Sequence, residues 1–100
     1  MLHIVWTYRI HPEQEAAFVE YYGPEGDWVR FFRQAGASYR GTTLLQDDVD
    51  PQRYLTIDLW DERSAFERFK RGHKAEYDER DRHCAQFTTE EKLVGYFEEL

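Results

Sequence analysis

The chain has 100 residues, enough for one domain and too few for two. Its 20 acidic against 13 basic side chains give a formal charge of −7, with no lysine-arginine cluster, which argues against a nucleic-acid or anionic-membrane partner. Apolar residues make up 41% and aromatic residues 17%, so a packed core rich in large rings is expected. The apolar runs are a few residues long, far below the ~20 needed to cross a bilayer. The single cysteine, Cys84, cannot close an internal disulfide, and the N-terminus lacks a leader pattern, so a reducing cytoplasm is the expected compartment.

Leu2 to Ile10 (LHIVWTYRI) alternates with period two and predicts a first strand. Pro12 suits the first turn of a helix, and Phe18, Tyr21 and Tyr22 then recur at helical spacing. Gly23-Pro24-Glu25-Gly26-Asp27 interrupts that helix. Trp28, Phe32 and Ala35 restore the spacing up to Gly36, which is placed as a C-terminal cap. Tyr39 to Gln46 and Arg53 to Trp60 predict two strands joined through turn formers at Asp47 to Pro51. In the second of these, Leu55, Ile57 and Leu59 face one way, and Tyr54, Thr56, Asp58 and Trp60 the other.

Asp61 is a candidate cap for the next helix, with Ala65, Phe66 and Phe69 as its apolar face and Gly72 as its interruption. His73 to Ala85 continues as helix, with Glu76–Arg80 and Asp78–Arg82 four residues apart. A turn through Thr88 to Glu91 leads to a last strand, Leu93 to Glu99. The order is that of an α+β, ferredoxin-like βαββαβ fold: a four-stranded antiparallel sheet with both broken helices on one face. The other face carries large residues, and a second copy of the chain is the expected cover.

The Tyr-Gly-Pro-x-Gly-Asp-Trp break (Tyr22 to Trp28), the Gly-Thr-x-Leu-Leu-x-Asp strand and the Tyr-Leu-Thr-Ile-Asp-x-Trp strand (Tyr54 to Trp60) resemble the antibiotic biosynthesis monooxygenase domain family along essentially the whole chain. The resemblance implies a homodimeric α+β barrel with a pocket between sheet and helices in each subunit. It also implies activities that include cofactor-free oxygenation of quinol-type aromatics and haem breakdown. The oxygenases and haem-degrading members of that family use a pocket asparagine, and this chain has no asparagine. The tryptophan and histidine positions of the haem-degrading members fall near Phe69 and Glu79, so haem breakdown is not expected.

Cofactor-free oxygenation needs a dry apolar pocket, a base, and donors that hold an anion while it reduces dioxygen. Asp58 and His73 are the leading base candidates, with His83 behind them. Arg9, Tyr22, Trp28, Trp60, Phe69 and Tyr77 are the candidates for substrate binding, and Tyr8 is a further donor. Asp58 sits mid-strand among apolar neighbours, where burial raises a carboxyl pKa; the competing reading is an ion pair with Arg9 or Arg40. No histidine or cysteine spacing suits a metal. The expected function is a cofactor-independent monooxygenase for a small hydrophobic aromatic, with a non-catalytic binding barrel or a lactone isomerase-like enzyme as alternatives.

Overall fold

A computed structural model describes all residues, Met1–Leu100. The period-two segments form β1 (Leu2–Ile10), β2 (Tyr39–Gln46), β3 (Arg53–Trp60) and β4 (Thr88–Glu98) of a single antiparallel sheet, ordered β2-β3-β1-β4. The helical segments are α1 (Glu15–Tyr22), α2 (Asp27–Phe32), α3 (Arg63–Gly72) and α4 (Lys74–Cys84). The expected βαββαβ fold with two broken helices is therefore what the chain adopts.

Register assigns the two faces. Leu2, Ile4, Tyr8 and Ile10 of β1 pair in rows with Trp60, Asp58, Tyr54 and their β4 partners, and these even-numbered positions turn toward the helices. Val5, Leu55, Ile57 and Leu59 take the opposite face, as the alternation in β3 predicts. The helix-side core is almost wholly aromatic at one end: Trp60 is fully buried, with ring centroids of Tyr39, Phe66, Phe32 and Phe69 at 5.1, 5.4, 5.6 and 5.8 Å.

The break between α1 and α2 is a close approach of backbone. The Gly23 N–H donates to the Val19 carbonyl, the Gly26 N–H to the Gly23 carbonyl, and a Cβ on Gly26 would stand 2.6 Å from the Tyr21 carbonyl oxygen. Only glycine lets α2 start this close to the end of α1. Gly36, with φ +73°, makes the turn into β2 in the left-handed region. The second break is at His73, whose backbone leaves helical geometry between α3 and α4.

Four local expectations are corrected. The last strand begins at Thr88 rather than Leu93, because Thr88 pairs with Ile10 and the polar residues through Lys92 lie on an edge strand that tolerates exposure. Asp61 does not cap α3; it accepts the Arg40 Nε–H at 2.6 Å, and Glu62 occupies the cap position without a side-chain bond. Arg80 does not bridge to Glu76's carboxylate but reaches across to Asp27 at 2.7 Å, a partly shielded pair that ties α4 to α2. Asp78 accepts from Lys74, not Arg82. No helix is long and apolar enough to cross a membrane.

Candidate functional site

At the other end of the helix-facing side, toward α2, α4 and β4, the aromatic packing leaves a gap. The cavity holds about 400 Å³ counted with its open mouth, and it is lined by Trp6, Tyr8, Thr56 and Asp58 from the sheet floor, Thr42 from β2, and Glu91 from β4. Tyr22, Trp28, Phe32, Tyr77 and Asp81 form the wall from the helices. The walls stand close: Tyr77 meets Trp28 edge-on at 5.2 Å, and Tyr22 lies 6.2 Å from Trp28. The Asp27–Arg80 bridge holds these two walls together, with the Arg80 guanidinium 4.2 Å above the Phe31 ring.

Asp58 is brought in by period-two alternation, which sends it to the same side as Thr56 and Trp60. Its Oδ1 accepts the Thr42 hydroxyl at 2.6 Å. A threonine hydroxyl has one proton, so with that proton on Asp58 the Tyr39 hydroxyl donates to Thr42, at 2.6 Å, and the three groups form a relay. The expected alternative, an ion pair with Arg9 or Arg40, does not form: Arg9 donates to Asp50 and Arg40 to Asp61. Burial without a cation pushes the Asp58 carboxyl up to about 6, against the lowering effect of Thr42.

The phenols around it are held neutral. Burial raises Tyr8 well above the usual tyrosine range, with the Asp58 charge adding to the effect, and raises Tyr22 and Tyr77 in the same direction. Tyr8 shares a 2.9 Å hydrogen bond with Thr56 in the floor. Asp81 and Glu91 stay exposed at the mouth of the cavity and are raised in the same direction, by partial desolvation first; Asp81 adds to the rise at Glu91.

Of the ten residues singled out from the sequence, five meet here: Asp58, Tyr8, Tyr22, Trp28 and Tyr77. Five do not. His73 stacks on Phe69 with centroids 4.1 Å apart, and its Nδ1 lies 3.0 Å from the Phe69 carbonyl oxygen, so its ring is engaged away from the cavity. Arg9 turns to the opposite face of the sheet and pairs with Asp50. Trp60 and Phe69 are solid core. His83 packs against Tyr21 and Phe87 on the outer side of α4.

Trp6, Phe32, Thr42, Thr56, Asp81 and Glu91 complete the lining, and sequence reasoning assigned none of them to it. Glu91 was hidden by the misplaced start of β4, which brings it opposite Tyr8. Asp81 is exposed, yet it stands four residues after Tyr77 and so reaches the cavity mouth from the same side of α4. That spacing was the available signal. No cluster of histidine, cysteine and acidic side chains is arranged to hold a metal ion.

The profile of the antibiotic biosynthesis monooxygenase family matches residues 1–76. Among curated proteins no relative of the sequence is found. The chain is similar in structure to SnoaB, a cofactor-independent oxygenase from Streptomyces nogalater solved as an asparagine-to-alanine variant, at TM-score 0.73 and 19% identity over 98% of this chain and 91% of that one. A candidate antibiotic biosynthesis monooxygenase from Nitrosomonas europaea superposes at TM-score 0.74 and 19% identity, covering 100% of this chain and 99% of that one. A conserved protein from Methanosarcina mazei Go1 reaches TM-score 0.75 at 10% identity, over 99% and 92% of the two chains. At such identities the likeness speaks for the fold, and the profile match speaks for descent: the chain belongs to the antibiotic biosynthesis monooxygenase domain family.

Proposed function

We propose that the protein is a cofactor-independent monooxygenase of a small aromatic or quinol-type molecule, with Asp58 as its base. The observation that supports this most is a carboxyl without a cationic partner, raised to about 6, in the floor of an aromatic cavity. Above that pH it is ionised and basic enough to take a proton from an activated C–H or phenolic O–H. The substrate anion gives an electron to dioxygen, and recombination of the resulting pair forms the C–O bond. Loss of water then leaves a carbonyl: one oxygen atom enters the product, the other leaves as water, and the electrons come from the substrate carbon.

Tyr8 and Thr56, which share one hydrogen bond, carry the hydroxyls of the lining, while Tyr22 and Tyr77 with Trp28 shape the space. Oxygen uptake with a panel of quinols and polyphenols tests the reading. Uptake with one or more, lost in Asp58→Asn, is expected; absence of uptake with all of them, alongside saturable quenching of tryptophan fluorescence, would favour a non-catalytic binding barrel. One observation favours that second reading: no arginine, lysine or histidine lines the cavity to hold an anion.

The same reading includes a homodimer. Val5, Leu55, Ile57, Leu59, Leu45 and Phe97 share the sheet face away from the helices, and Leu45 and Phe97 are each 48% exposed. A second sheet packed on that face would bury this apolar stripe. Sedimentation as a concentration-independent monomer would refute it.

A further inference from the structure

The cavity presents three carboxyls from three different elements, Asp58 on β3, Asp81 on α4 and Glu91 on β4, and none of them takes part in an ion pair. Every basic side chain in the chain points elsewhere or sits outside the lining. Lys70 on α3 comes close, its Nζ over the Tyr77 ring at 4.6 Å and its charge reaching Asp81, without lining the cavity. Tyr77 feels all three acids, Asp81, Asp58 and Glu91, which places their charges around one ring. Between them the lining is aromatic, from Trp6 and Tyr8 through Tyr22, Trp28 and Phe32.

Aromatic faces inside the cavity and unpaired carboxylates at its mouth, where Asp81 and Glu91 are exposed, favour a cation and repel an anion. We propose that the ligand of this cavity is a single-ring aromatic bearing an ammonium group, with the ring against Trp28, Tyr77 and Tyr8 and the ammonium at the mouth on Asp81 and Glu91. The inference rests on the reading of this cavity as the substrate site, and it resolves the difficulty that reading leaves: the cation that would stabilise a substrate anion arrives with the substrate. Asp58, hydrogen-bonded to Thr42 and not coupled to the other two, stays free to take the proton.

Ammonium binding favours the ionised carboxyls, so binding releases protons, and affinity rises as the pH is raised through the range in which Asp58, Asp81 and Glu91 lose theirs. The phenols of Tyr8, Tyr22 and Tyr77 stay protonated throughout.

Three probes of nearly equal shape decide the matter by fluorescence titration at neutral pH: tyramine, para-ethylphenol and para-hydroxyphenylpropionate. Tyramine is expected to bind at least about tenfold more tightly than para-ethylphenol, and the anion most weakly. In the Asp81→Asn, Glu91→Gln double variant the preference for tyramine should vanish while para-ethylphenol still binds, which also shows that the variant folds. Calorimetry near pH 6, in buffers of different ionisation enthalpy, should register proton release with tyramine alone. Equal affinity for tyramine and para-ethylphenol, preference for the anion, or no saturable binding of any probe would overturn the ligand class. Charge preference without oxygen uptake by any quinol would leave the ligand class standing and remove the oxygenase; uptake without charge preference would do the reverse.

Discussion

The two ends of the helix-facing side are built from the same kinds of residue and do opposite things. Around Trp60, rings from Phe32, Tyr39, Phe66 and Phe69 close on the indole at 5.1 to 5.8 Å, and the polar groups these rings carry are the Trp60 indole N–H and the Tyr39 hydroxyl, which reaches Thr42. Around Asp58, rings from Tyr8, Trp28 and Tyr77 stop short of closure, and three carboxyls fill part of the lining. Aromatic density by itself therefore separates nothing; a carboxyl or threonine in the alternation marks where packing gives way to a site. Thr56 and Asp58 precede Trp60 on the same face of one strand, so the transition takes two strand positions per step.

The largest expected contrast is in activity. Asp58→Asn should cost about 10²- to 10⁴-fold in turnover of any substrate found, measured by oxygen uptake, while Trp60→Phe leaves turnover within a few fold. Trp60→Ala should instead act on folding, lowering stability by about 3 to 5 kcal/mol in chemical denaturation, because the ring is fully buried and its neighbours cannot close the gap.

Stability against pH should separate the ends next. The folded Asp58 keeps its proton up to about pH 6, whereas the unfolded chain loses it near the usual 3.8. Between those values the folded state binds the extra proton, so stability falls as pH rises through them, by up to about 3 kcal/mol. Asp58→Asn should flatten that decline and melt higher than the parent at neutral pH, a gain bought with activity. A smaller effect is expected from Thr42→Val. Losing the hydroxyl that favours the ionised form should move the acid limb of the rate profile upward by about 1 pH unit. The smallest is His73→Phe, which keeps the stack on Phe69 and should leave turnover unchanged.

The fold was legible because strong alternation in β1 and β3 and the two glycine-marked breaks report local physics directly. Asp58 was legible for the same reason: a carboxylate on the face that carries Trp60 must be shielded wherever helices cover it. Glu91 was not, since Thr-Thr-Glu-Glu has the composition of a turn, and only pairing with β1 makes it a strand. His73 misled because proximity to Tyr77 along the helix said nothing of the Phe69 ring waiting beside it. Arg9 misled because its strand face, not its charge, decides which side of the sheet it serves. Cavities are what side chains fail to fill, and that depends on contacts between elements far apart in the chain.

The carboxyl of Asp58 can be followed directly by ¹³C NMR of protein labelled at aspartate, its resonance assigned by its loss in Asp58→Asn. A titration midpoint near 6, displaced when a ligand occupies the cavity, is the expected result. A midpoint within the usual aspartate range near 3.8, indifferent to any ligand, would contradict an unpaired base in a shielded site.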